Sequence, residues 1–137
     1  MRLLILGGTG FVGRHIVEVA RDRGHDVTVF NRSRRPVPWA DVSRLVGDRD
    51  SGDLTALLTG EWDACVDVNA YVPQAVEAAS SLLASRVGRY CFISTGSVYR
   101  NLDDPRGEPG PIVESSPLHE PPAETVSERT PELYGPL

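Results

Sequence analysis

The 137-residue chain carries 14 basic and 19 acidic side chains, and its 40% hydrophobic content suffices for one globular domain with its own core. No apolar run approaches the ~18 residues of a membrane span, and the four apolar residues after Arg2 are too few for a signal peptide, so a cytoplasmic protein without membrane contact is expected. The net charge of −5 comes from residues 101–137, with 2 Arg against 8 acids; residues 1–100 hold 12 Arg against 11 acids, and their longest basic run, Arg32-Ser33-Arg34-Arg35, is too short to argue for a nucleic-acid partner.

The first element read from the sequence is a strand over residues 2–6, almost wholly apolar in Leu3-Leu4-Ile5-Leu6. Gly7-Gly8-Thr9-Gly10-Phe11-Val12-Gly13 follows directly and opens a helix over 11–23, with Gly24 as its C-terminal stop. A buried strand, a glycine turn and a helix N-terminus together make a site for a bridging phosphate. The helix offers unpaired N–H groups and a positive dipole end, and the glycines let backbone approach a pyrophosphate. Gly7, Thr9, Gly10, Phe11, Val12 and Gly13 are therefore candidate cofactor-binding residues, against the plainer reading of a tight strand-to-helix turn.

A second strand over 26–30 ends at Asn31-Arg32-Ser33-Arg34-Arg35. An acidic residue here would bind a ribose 2′-hydroxyl; guanidinium groups suit a 2′-phosphate instead. Asn31, Arg32, Ser33 and Arg35 become candidates on that logic, and NADP is favoured over NAD, unless the segment is simply a solvated basic loop. A third strand over 42–46 leads into Gly47-Asp48-Arg49-Asp50, where Asp48 and Arg49 either meet the adenine end of a nucleotide or shape a turn.

A short helix over 54–58, stopped by Gly60, precedes a fourth strand over 64–68. Asn69 and Ala70 follow it, where a nicotinamide ribose would pass, although Asn69 equally suits fixing the loop backbone. A helix over 73–85 and a fifth strand over 89–94 complete the regular pattern. Such alternation predicts an α/β fold with a doubly wound parallel sheet of about five strands, in the order 3-2-1-4-5. Cys65 and Cys91 both fall in apolar strand segments and are expected as buried, reduced thiols. His15, His25 and His119 have no metal-ligand spacing, and no metal site is expected. Residues 101–137 hold 8 of the 11 prolines and form a segment separate from the nucleotide-binding part over 1–100; within it 101–130 reads as a long acidic loop or a partly disordered stretch, leading into a truncated helix that carries Tyr134.

The glycine motif, Gly47-Asp48 and Ile93-Ser94-Thr95-Gly96-Ser97-Val98-Tyr99 resemble the extended and atypical short-chain dehydrogenases/reductases, the NAD-dependent epimerase/dehydratase superfamily. The resemblance covers essentially the whole chain, as the N-terminal half of a typical member. It implies hydride transfer between a nicotinamide and a substrate alcohol or carbonyl. It implies that Thr95 hydrogen-bonds the reacting oxygen and that Tyr134, as the tyrosine of a YxxxK helix, exchanges the proton. The family lysine would fall one residue past Leu137, and the chain contains no Lys. Two expectations stay open: the nucleotide-binding portion of an oxidoreductase or epimerase, or a dinucleotide-binding module without turnover. The small-molecule substrate is not readable, and a homodimer is compatible with either.

Overall fold

The structure, a computed structural model, describes residues 1–100 and 111–120. Five parallel strands form one sheet in the order β3-β2-β1-β4-β5, as the alternating pattern predicts: β1 is Arg2–Leu6, β2 Asp26–Asn31, β3 Ser43–Val46, β4 Ala64–Asp67 and β5 Tyr90–Phe92. The helices are α1, Phe11–Asp22, and α2, Pro73–Leu83. Alternate residues of each central strand point to opposite faces, so each face has its own core. Ile5, Val27 and Val29 pack with Val17 and Ala20 of α1. Leu4, Leu6, Phe30 and Cys65 pack with Ala79 and Leu83 of α2, together with Leu54, Leu57 and Trp62.

Helix α1 stops where the sequence places its stop. Gly24 takes φ +73°, its N–H donates to the Arg21 carbonyl at 2.8 Å, and the His25 N–H donates to that of Ala20 at 3.0 Å. These two bonds satisfy carbonyls left over at the helix end, and the left-handed turn they need favours glycine.

Several elements depart from the sequence reading. The helix expected over 54–58 is a 3-10 turn, Thr55–Thr59. Five residues are too few to repay the cost of an α-helical nucleus, and the segment is held by burial of Leu57. The strand expected over 42–46 is β3, Ser43–Val46, an edge strand whose residues are mostly exposed. Cys65 is buried as expected, but Cys91 is exposed. The cause is the edge position of β5 among the described strands, which also leaves Phe92 and Ile93 exposed.

The fold divides into two compact units. One comprises residues 1–70 with 75–93 and holds the sheet; the other comprises 71–74 and the segment from Ser94 onward. In the described part of the second, Tyr99 bridges Leu118 and the Arg100 guanidinium pairs with Glu120 at 2.9 Å. No helix among the described residues is long and apolar enough to cross a membrane.

Because Leu57 is the fully buried anchor of the 3-10 turn, Leu57→Ala should destabilise the fold by about 2–5 kcal/mol in urea unfolding. A loss below about 1 kcal/mol would mean that the turn is not part of the core.

Candidate functional site

In a parallel sheet the C-terminal strand ends all open on one edge, and a chain that winds away in both directions from a central strand leaves a crevice there. β1 is that strand here, with β2 on one side and β4 on the other. The turn after β1 is tightly folded. Gly7 sits at φ +96°, and its carbonyl accepts from the N–H of Thr9 at 2.8 Å and of Gly10 at 3.4 Å. A Cβ on Gly7 would lie 2.7 Å from Cβ of Asn69, so the loop after β4 is laid directly against it. A Cβ on Gly13 would lie 2.6 Å from the Gly7 carbonyl oxygen, so α1 rests its backbone on the turn.

At the N-terminus of α1 the arrangement is reversed. A Cβ added at Gly10 would meet nothing within 4 Å, no side chain caps the helix, and its first turn holds no acid. Phe11 and Val12 are exposed on that turn. The first-turn N–H groups have no acceptor within the helix, and they carry its positive dipole end.

The loops after β2 and β3 are joined. The Asn31 side-chain oxygen accepts from the Ser33 N–H at 2.8 Å, while Ser33 adopts φ +60°. The Asn31 Nδ2 group is buried with no partner among the described residues. Arg32 pairs with Asp50 at 2.5 Å and lies 3.9 Å from Asp48. Both partners stand on a turn closed by reciprocal backbone bonds between Asp48 and Asp53. Arg35 is exposed.

The structure thus gathers Gly7, Thr9, Gly10, Phe11, Val12, Gly13, Asn31, Arg32, Ser33, Asp48, Asn69 and Ala70 around the C-terminal ends of β1 to β4. Arg49 stands in the turn after β3. Its side chain, 6% exposed, donates to Asp67 at 2.6 Å and to the Ala75 carbonyl at 2.6 Å, which ties that turn to the end of β4 and to α2. Thr95 belongs to the second unit, where its hydroxyl accepts from the Ser97 N–H at 3.2 Å and caps a 3-10 turn, Gly96–Val98. Tyr134 lies outside the described residues.

The sequence reading passed over Asp67, at the end of β4. Asp67 is fully buried and accepts from Arg49, from the Tyr90 hydroxyl at 2.6 Å and from the Asn69 N–H at 3.2 Å. An acid within the apolar run Ala64-Cys65-Val66-Asp67-Val68 was the available signal, because a carboxylate is rarely buried without partners. Burial, and then the hydrogen bond to Asp67, raise the Tyr90 phenol well above its ordinary range. Burial, and then the charge of Asp67, push the Cys65 thiol up to about 12.

The profile of the NAD dependent epimerase/dehydratase family matches residues 3–124. The chain belongs to that family. Among curated relatives it is 28% identical, across 99% of its own length, to the chloroplast stem-loop binding protein of 41 kDa b of Arabidopsis thaliana. It is 40% identical over 56 residues to a 3-beta-hydroxysteroid dehydrogenase of Mycolicibacterium neoaurum, which covers 40% of this chain and 15% of that one. Among solved structures, a short-chain dehydrogenase/reductase superfamily protein of Agrobacterium tumefaciens with bound NAD is 28% identical. It superposes with a TM-score of 0.64, covering 87% of this chain and 39% of that one. A UDP-galactose 4-epimerase gives a TM-score of 0.67 at 20% identity, over 87% of this chain and 45% of that one, which is a likeness of fold. The chain spans 43% of the Arabidopsis relative and smaller shares of the dehydrogenase.

Two outcomes follow for this family member. Gly13→Ala forces α1 away from the turn, and should cost about 1–3 kcal/mol in urea unfolding as an overpacking substitution. The alkaline limb of stability should be set by Tyr90 and Cys65. Each has a folded pKa above its unfolded value, so its contribution is whole below the unfolded pKa, about 10 for Tyr and about 8.5–9 for Cys, and is lost as pH rises above it. Urea midpoints should be level at pH 7–8 and fall between about pH 9 and about pH 12, with Cys65→Ala and Tyr90→Phe each flattening the fall. A midpoint independent of pH over that window would contradict the burial of both groups.

Proposed function

We propose that this chain is the dinucleotide-binding portion of a short-chain-type oxidoreductase or epimerase, with NADP preferred over NAD. The observation that carries the reading is the uncapped N-terminus of α1, entered through Gly7 and Gly10 and open where a Cβ on Gly10 would point. That cradle fits a pyrophosphate, and the unpartnered Asn31 Nδ2 leaves a donor for the adenosine half. The NAD held by the Agrobacterium relative, at 28% identity, supports the same class of ligand.

The residues then take distinct roles. The backbone from Gly7 to Gly13 holds the pyrophosphate, with Phe11 and Val12 contributing first-turn N–H groups. Asn31 and Ser33 hold the adenosine ribose, and Arg32, assisted by Arg35, binds the 2′-phosphate. The Arg32–Asp50 ion pair is solvent-exposed and worth little, so a phosphate competes with it effectively. Asp48 accepts from the adenine amino group, and Asn69 and Ala70 line the nicotinamide ribose. When bound, the nicotinamide accepts or donates the hydride. Thr95 orients the substrate oxygen and Tyr134 moves its proton, the phenol serving as general acid or base. The substrate is a small alcohol or carbonyl compound, the location cytoplasmic.

A second reading is binding without turnover. It draws on the 28% identity across 99% of this chain to a protein named for stem-loop binding. Turnover of NADPH with a carbonyl substrate by the protein containing this chain separates the two.

The cofactor reading is tested by titrating the chain with NADPH and NADH, following nicotinamide fluorescence. NADPH should bind about tenfold more tightly, and Arg32→Ala should remove that margin, as expected for loss of a charge-assisted contact of about 1.5–3 kcal/mol. Asp50→Asn, which releases the guanidinium, should tighten NADPH binding and leave NADH unchanged. Equal affinities, unmoved by Arg32→Ala, would overturn the preference; binding of neither nucleotide would remove the functional reading.

A further inference from the structure

Resting on the dinucleotide reading, we infer that Asp67 is a positioning residue, holding the loop after β4 in the shape that receives the nicotinamide half of the cofactor. Asp67 is the last residue of β4 and is fully buried. Its Oδ1 accepts from the backbone N–H of Asn69 at 3.2 Å and from Arg49 Nη1 at 2.6 Å, while Oδ2 accepts from the Tyr90 hydroxyl at 2.6 Å. One carboxylate therefore fixes the loop by its own backbone and is itself fixed from two directions.

The held loop is the one that touches the glycine turn. Cβ of Asn69 and Cγ2 of Val68 stand 2.7 Å and 3.1 Å from where a Cβ on Gly7 would begin, and Val68 Cγ2 is 3.1 Å from the same position on Gly13. A shift of an ångström at Asn69 would either open this contact or push Asn69 into Gly7. Arg49 extends the restraint. It comes from the turn after β3, and its Nη2 bonds the Ala75 carbonyl, so one guanidinium ties that turn to the end of β4 and to residue 75. None of the three side chains has to meet the cofactor for this to work.

The burial of this group has a cost that hydrophobic residues would avoid. Replacing a buried ion pair with apolar side chains of similar size is often neutral or stabilising. That separates positioning from stability. The triple substitution Arg49→Met, Asp67→Leu, Tyr90→Phe replaces the group with apolar side chains of broadly similar size and removes the acceptor of the Asn69 N–H.

The test compares this variant with the wild-type chain in three readouts: thermal unfolding, amide hydrogen exchange at Asn69, and affinities for NADPH and for 5′-AMP, which carries only the adenosine half. Melting should stay within a few degrees of wild type. Exchange at Asn69 should quicken about tenfold, and NADPH binding should weaken about tenfold while 5′-AMP stays within about twofold, the scale of one lost hydrogen bond at about 1.4 kcal/mol. NADPH affinity that is unchanged, or that falls in the same proportion as 5′-AMP, overturns the assignment. Should the triple variant not fold, Tyr90→Phe, which removes one donor and keeps the ring, decides by the same ratios, with a shift of about threefold expected. A wild-type chain that binds neither NADPH nor NADH overturns the functional reading and this assignment together. A wild-type chain that binds, beside variants that bind equally well, overturns the assignment alone.

Discussion

The backbone of α1 lies on the turn after β1 with no room for a side chain between them. The Gly7 carbonyl oxygen would be 2.6 Å from a Cβ on Gly13, and Cα of Gly8 would be 3.0 Å away. This close approach fixes the direction in which α1 leaves the sheet, and with it the place where the first-turn N–H groups converge. The core on that face follows from it, because Val17 and Ala20 reach Ile5, Val27 and Val29 only when the helix is this near. The packing on this face and the placing of the first-turn N–H groups are thus set by one contact, and a residue larger than glycine at position 13 disturbs both.

The opposite side of the crevice is built on a charge. Asp67 carries no solvent contact, yet Arg49, Tyr90 and the Asn69 N–H supply it with donors on both carboxylate oxygens. Removing a single member of such a buried pair commonly costs about 3–5 kcal/mol, because the remaining charge is stranded. The two walls are coupled where Asn69 meets Gly7, so the glycine turn has a rigid neighbour without a large side chain of its own.

The outer strands are held less firmly. β3 is an exposed edge and β5 is three residues long with Phe92 and Ile93 uncovered. Trp39 steadies the segment before β3, standing 5.9 Å from the guanidinium carbons of both Arg14 and Arg21, and Arg21 also pairs with Asp41 at 2.8 Å. These contacts tie the edge of the sheet to α1 on its solvent side, where each is individually weak.

The sequence by itself determined the strand order, the glycine turn, the stop at Gly24 and most of the residues around the crevice. These are local or periodic properties: an apolar run is a buried strand wherever it occurs, and a positive φ favours glycine before any neighbour is known. It did not determine partnership. That Arg49 is paired with Asp67, that Arg32 is paired with Asp50, and that Asn69 rests on Gly7 are contacts between residues 18 to 62 positions apart in the chain. The exposure of Cys91 follows from the edge place that the strand order gives β5, which the apolar run of that strand does not itself display. Only the assembled sheet brings these groups together, and burial then decides which of them must pair.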